Sequence, residues 1–252
     1  MRQKLLAKLF FHQMLLKYRL YILMLLTLIL TFFSFLFLQT YMSLKTINIE
    51  GNIANQNLRS VSNLTGKNLL FLSTKSLTED INRNNPNLLV EEVKKIYPDK
   101  LSIKLRSLKT LAQLQLNQGY VHLAKEGKII SKTKDLNNRL PLINFYQKFD
   151  YYQTSVGNNL DYKEVLTTLF LLDKSSELGL EVKSIDISGL SMIVFNLNNS
   201  TTDASERKIF FSAEKEAEKQ AYELETILTQ FKVKFQDFNT LDLRFDKPVV
   251  KF

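Results

Sequence analysis

Nineteen consecutive residues, Leu20 to Leu38 (LYILMLLTLILTFFSFLFL), carry no charge, and this run constrains everything around it. As an α-helix it is about 28 Å long at ~1.5 Å per residue, close to the ~30 Å hydrocarbon core of a bilayer. A soluble core helix of that length breaks its apolar run with a polar face, whereas here the first charge after Arg19 is Lys45. The stretch is expected to span a membrane. A cleaved signal peptide has a shorter apolar region, about 7–15 residues, and a small-x-small cleavage site. Here Phe35, Leu36, Phe37 and Leu38 run on to Gln39, Thr40, Tyr41 and Met42. An uncleaved signal anchor over residues 20–42 is the expectation, with Tyr41 at the outer interface.

The formal charge of +9 looks at first like a nucleic-acid signal, but its distribution points elsewhere. Arg2, Lys4, Lys8, Lys17 and Arg19 precede the apolar run without a single acid, while the remaining bases nearly balance the 25 acids. Bases flanking a span stay on the cytoplasmic side, so residues 1–19 are expected inside and the larger part of the chain outside. Leu5, Leu6, Leu9, Phe10 and Met14 recur at helical spacing among those bases, the pattern of an amphipathic lead-in on the inner leaflet, where anionic lipid attracts the basic face. After Lys45 the charges are well mixed, without the basic stripe and interleaved aromatics of a nucleic-acid surface. No nucleic-acid partner is expected.

Beyond the span, KTINIE (Lys45 to Glu50) alternates as a first strand and stops at Gly51-Asn52. Asn57 to Leu64 has the pattern of a short helix closing at Gly66. Leu69 to Leu72 form an apolar anchor, and Ser76 with Glu79 resembles a capping pair for a helix burying Leu77 and Ile81 and ending at Pro86. Val90 to Tyr97 and Leu101 to Leu105 follow as two strands about a Pro98-Asp99 turn. The order strand, helix, helix, strand, strand predicts an α+β module of about seventy residues, with antiparallel hairpin pairing and both helices on one face.

From Leu111 short strands are expected at Leu111 to Leu116, Tyr120 to Ala124 and Lys128 to Ser131, with Glu126-Gly127 as a hairpin turn. Residues 132–139 and 146–158 have the composition of exposed loops. A helix from Asp161 to Leu178 buries Val165, Leu166, Leu169 and Leu172 and stops at Gly179. Strands follow at Glu181 to Ser188, Met192 to Leu197 and Lys208 to Phe211. A second helix is expected to be capped by Ser212, with Ala217, Ala221, Leu224, Leu228 and Phe231 inward and its charges solvated. In the final stretch TLDLRFDKPVVKF, Leu241, Leu243 and Phe245 alternate with charges, and Pro248 begins a Val249-Val250 strand. A proline without an N–H is confined to a strand's first position or to an edge, so these strands are expected at the rim of a sheet. An open edge is either protected or serves as a template for a partner's strand.

The first module resembles the POTRA domain of the FtsQ/DivIB family of bacterial cell-division proteins, on INIEGN (Ile47 to Asn52), TGKNLLFL (Thr65 to Leu72), the Asn85-Pro86 helix end and VKKIYPDKLSIKL (Val93 to Leu105). YVHLAKEGKII and Leu140-Pro141-Leu142-Ile143 resemble the start of that family's second domain, and Asp242 to Asp246 its D-L-R-aromatic-D hallmark. One departure is Ser107, Leu108, Lys109, Thr110, where family members often carry an acid-arginine-x-proline stretch. The resemblance implies a POTRA-like domain at 44–112 and an FtsQ-type mixed β-sheet domain with two helices at 113–252. It implies a bitopic divisome scaffold of the bacterial plasma membrane at the septum, linking early and late division proteins and supporting septal peptidoglycan synthesis. The implied partners are FtsB-like and FtsL-like single-span proteins and the septal peptidoglycan synthase, with FtsB added as a strand at the C-terminal edge. By position, Leu243, Arg244, Phe245 and Asp246 fall on the hallmark, and Val249 and Val250 on the strand after it.

Nothing in the sequence assembles a catalytic constellation. There is no cysteine, so neither disulfides nor thiolate chemistry is available, and His12 and His122 are the only imidazoles. With seven glycines and no phosphate-cradling loop, nucleophile elbow or HExxH, no cofactor, metal or small-molecule substrate is expected. Glu91-Glu92 is a carboxylate pair, but neighbouring strand residues point to opposite faces. The alternative of a different class is a membrane-anchored envelope enzyme acting on peptidoglycan. A third, an outer-membrane or secretion-type POTRA chaperone, requires repeated modules or a following β-barrel, for which residues 113–252 offer two helices and too few strands.

Overall fold

The computed structural model describes residues 2–51, 58, 61–198 and 207–252. Its first element, α1 (Arg2–Tyr41), is a helix of 40 residues, about 60 Å long at ~1.5 Å per residue. The lead-in and the apolar run are thus one unbroken helix. The stretch Tyr21–Tyr41 is long and apolar enough to cross a membrane, and none of it is buried against the rest of the chain. The side chains of residues 2–17, on which the amphipathic face depends, lie outside the described residues.

A three-stranded sheet follows, built from β1 (Thr46–Glu50), β2 (Leu88–Ile96) and β3 (Lys100–Ser107) in the order β1-β3-β2. β2 and β3 form the expected antiparallel pair, with a bulge between Val90 and Glu92. β1, however, lies parallel to β3, with Ile47 opposite Leu101 and Ile49 opposite Ile103. Two connections account for this: β1 reaches the sheet from α1, and the chain crosses back through α2 (Thr74–Asn84) before β2. Of the first expected helix, Leu58 and the residues from Val61 on are described; they include only a 3₁₀ turn, Ser62–Leu64. α2 begins two residues before Ser76, and its cap is Ser73, whose side chain accepts a bond from the Ser76 N–H. Leu77 and Ile81 are buried as the periodicity requires. They join Leu44, Leu69, Leu88, Leu101, Ile103 and Leu105 in one core.

The second sheet has nine strands in the order β12-β11-β10-β9-β8-β7-β4-β5-β6. β4 (Ala112–Leu116), β5 (Gly119–Leu123) and β6 (Ile129–Thr133) form an antiparallel meander. β7 (Leu142–Phe145) and β8 (Val182–Gly189) join parallel to it, with α3 (Lys163–Glu177) as the crossover. β9 (Met192–Leu197) and β10 (Lys208–Phe211) continue antiparallel. α4 (Ala217–Lys234) then returns the chain to β11 (Thr240–Asp242), parallel to β10, and β12 (Val249–Lys251) closes antiparallel on β11. The sheet is open, with β12 and β6 as its edges. Phe145, Phe195, Phe211, Leu169, Leu224 and Leu241 are among the buried residues of its core.

One further detail departs from the sequence expectations. Ser212 does not cap α4, which starts at Ala217 with Glu216 as its N-cap residue and no side-chain cap bond. Ser212 is instead buried, its hydroxyl donating to Leu190 O and accepting from the Glu214 N–H. Residues 146–158 form the expected loop, and it is held in place: the Asp150 carboxylate accepts the N–H groups of Tyr152 and Gln153 and the Asn117 side-chain amide. Phe149 stacks on Phe145 at 5.5 Å between centroids.

Candidate interaction site

The distal rim of the large sheet is made by β11, β12 and the turn between them. The alternation Leu241, Leu243, Phe245 predicts one continuous strand, but the strand stops at Asp242 because that side chain captures its own backbone. Asp242 Oδ1 accepts from the Arg244 N–H at 3.1 Å, an Asx-type turn that competes with ladder formation. The same carboxylate holds the Arg244 guanidinium, with Nη2 at 2.7 Å from Oδ2 and Nε at 3.0 Å from Oδ1. Burial raises the Asp242 carboxyl, and the hydrogen bonds and charge of Arg244 outweigh this, holding it below its ordinary value. Arg244 is correspondingly raised by its bond to Asp242, against the opposing effect of burial. Its guanidinium lies over two rings, Phe210 at 5.3 Å and Phe245 at 5.4 Å.

A second anchor comes from the segment before α4. Lys215 Nζ donates to Leu243 O at 3.0 Å and Phe245 O at 2.8 Å, and pairs with Glu223 Oε2 at 2.6 Å. Both partners of this pair are largely buried, with 11% and 16% of their side chains exposed. The sequence concealed them, because Lys215 and Glu223 sit in an acid- and lysine-rich run whose charges were expected on a solvated face. The only local signal is that Glu223 falls between the inward positions Gln220 and Leu224.

The six expected site residues therefore divide. Leu243 is fully buried and locks the turn into the core, and Arg244 is half-buried in the arrangement just described. Phe245 and Val249 are about half exposed, at 55% and 48%, and Asp246 is exposed beside Lys219, 3.5 Å away. Val250 packs partly onto the core from β12. Pro248 does stand at the start of an edge strand, and among the described residues the outer side of β12 has no neighbour in the sheet. Phe252 extends the apolar rim, 5.9 Å from the ring of Phe231 on α4.

Elsewhere several ionisable groups form structural pairs. Glu91 pairs with Lys104 and Arg106, and Glu92 with Lys94. His122 Nδ1 is 2.8 Å from Ser131 Oγ in the β5–β6 pair, and burial lowers its pKa. No cluster of three or more metal-ligating side chains occurs among the described residues.

No family model matches the chain. It is 26% identical over 184 residues to the cell division protein DivIB of Clostridium botulinum, an alignment covering 67% of this chain and 70% of that protein. The apolar helix and a division-protein relative fit a single-pass membrane protein. This similarity supports membership of the chain in the FtsQ/DivIB family of cell-division proteins.

Proposed function

We propose that this protein is a noncatalytic divisome scaffold, anchored by α1 with its N-terminal arm in the cytoplasm, that binds other single-span division proteins through its distal sheet edge. In this reading residues 44–112 form a POTRA-like domain, and residues 113–252 form an FtsQ-type β domain that receives an FtsB-like partner by strand addition. An FtsL-like protein is carried alongside, and the septal peptidoglycan synthase is served by the assembly. The observation that carries the proposal is the unpaired outer side of β12, flanked by the exposed Phe245 and Val249 and held by the Asp242–Arg244 and Lys215–Glu223 pairs. Main-chain pairing along such an edge supplies affinity, and exposed side chains beside it supply selectivity. Confinement to the membrane plane raises the effective concentration of a partner that is itself anchored there.

Photocrosslinking scanned along residues 240–252 in dividing cells tests this directly. Capture of one small single-span protein at Phe245, Val249 and neighbouring positions is expected. Phe245→Asp and Val249→Lys should weaken that capture while leaving the fold intact, since neither side chain is buried and both substitutions keep the backbone N–H groups. Unchanged capture by both variants, or turnover of peptidoglycan by the outer part of the chain, would overturn the reading.

A further inference from the structure

The junction between α1 and the first sheet is zipped together by hydrogen bonds. Leu69 N donates to Met42 O at 2.8 Å, Leu44 N to Lys67 O at 2.9 Å and Gly66 N to Leu44 O at 2.9 Å. Asn68 Nδ2 reaches Gln39 O, at 3.3 Å, inside the last turn of the helix. Leu44 and Leu69 on either side of this seam are buried in the module's core. The loop 66–71 therefore stands at the level where α1 ends, with no slack chain between them.

Leu70 and Phe71 follow at once, and neither joins the core: Phe71 is 76% exposed. The β2–β3 turn lies at the same end, because Lys45 N and Thr46 N both donate to Asp99 O, at 2.9 and 3.2 Å. Lys95 Nζ ties that turn to the loop through Leu70 O, at 3.3 Å. The turn carries Ile96 and Tyr97, both about half exposed, and Tyr41 on the last helical turn is exposed as well. Five large apolar or aromatic side chains thus surround the exit of an apolar helix, with Lys67 and Lys95 among them. Aromatic rings and long basic stems are what the headgroup region of a bilayer accommodates best.

We propose that Leu70, Phe71, Ile96 and Tyr97 form a membrane-docking patch that enters the interfacial layer of the leaflet where α1 emerges. The first module then rests on the lipid at a fixed tilt. The inference depends on α1 being a span but not on which side of the membrane the module occupies. Lipid is the occupant favoured here because hydrogen bonds hold the patch to the end of the span itself, so a bilayer around α1 meets these side chains without any further partner.

The chain has no tryptophan, so each introduced Trp reports alone. The full-length protein in vesicles of phosphatidylcholine and phosphatidylglycerol would be compared as Phe71→Trp, Leu30→Trp in the middle of the span, and Tyr222→Trp, an exposed position on α4. Leu30→Trp should be quenched most by lipids brominated deep in the acyl chains. Phe71→Trp should emit to the blue of Tyr222→Trp and be quenched several-fold more strongly by lipids brominated near the headgroup. If Phe71→Trp behaves as Tyr222→Trp while Leu30→Trp is quenched, the docking patch is refuted and the span stands. Blue-shifted emission without quenching would mean that a protein surface covers the patch, and also refutes it. An unquenched Leu30→Trp removes the span, and the docking with it.

Discussion

Lys215 offers the sharpest test of how the distal turn is held. Its ammonium donates to both Leu243 O and Phe245 O, and it pairs with a Glu223 carboxylate whose side chain is only 16% exposed. Lys215→Met keeps the apolar stem and removes all three bonds. Leaving a largely buried carboxylate unpaired costs about 3–5 kcal/mol when burial is complete; with this residual exposure, about 3 kcal/mol is expected. Glu223→Gln in the Lys215→Met background removes the unpaired charge and should restore roughly half of that loss, leaving the two carbonyl bonds unmade. Urea unfolding of wild type, both single variants and the double variant gives the coupling energy, expected at about 1.5–2 kcal/mol. Hydrogen exchange should localise the loosening to residues 243–247. A coupling below roughly 0.5 kcal/mol, the scale of an exposed ion pair, would refute the claim that this pair pins the turn.

Three further outcomes are expected. Lys128 is buried where the two sheets' modules meet, its Nζ donating to Leu88 O and Asn85 O across the boundary, and burial lowers its pKa from 10.5 to about 8 against the pull of Glu126. Below pH 8 both folded and unfolded states are charged and the fold carries the burial cost; between about pH 8 and 10.5 the unfolded chain holds a proton the folded one has released, so stability rises with pH. The gain attributable to Lys128 is about 3 kcal/mol, and pH-dependent denaturation of Lys128→Met should lack it. Gly51 has φ +138°, and a Cβ there would lie 2.1 Å from Leu105 O, so Gly51→Ala should lower the melting temperature through the first module while leaving distal partner capture unchanged. Phe195→Ala empties a fully buried site in edge-to-face contact with Phe211 at 4.8 Å between centroids, and should cost about 3–5 kcal/mol in urea unfolding of the second module.

Those positions also mark the boundary between what sequence discloses and what only packing decides. β9 and β10 fall at the expected residues: β10 is buried on alternate positions, β9 buries Ile193, Phe195 and Leu197 with Val194 between them, and a one-residue slip would turn Ile193, Phe195, Ile209 and Phe211 out of the core. The parallel placement of β1 against β3 is not written in either strand, since alternation fixes a face and not a direction. Local pattern makes Lys128 the opening residue of a strand; its role as an intermodule contact is hidden because its two acceptors lie about forty residues earlier, beyond any local period. Ser212 does not cap α4 for a similar reason: its hydroxyl is taken by Leu190 O, in the turn that leads into the neighbouring strand β9.

At the candidate site the same division has a functional consequence. Pro248 disclosed the edge, because a missing N–H is tolerated only where no ladder bond is needed. Alternation alone would have placed Leu243 and Phe245 on one face with equal claims to a partner. The Asx-type turn at Asp242 separates them, sending Leu243 into the core and leaving Phe245 outside with Arg244 against its ring. A hallmark stretch can therefore hold two kinds of residue at consecutive positions, some that shape the edge and some that meet what binds there. Substituting Leu243 should weaken partner capture only in proportion to its cost in stability, whereas substituting Phe245 should weaken capture at no such cost. Measuring both quantities on both variants separates architecture from recognition within one five-residue motif.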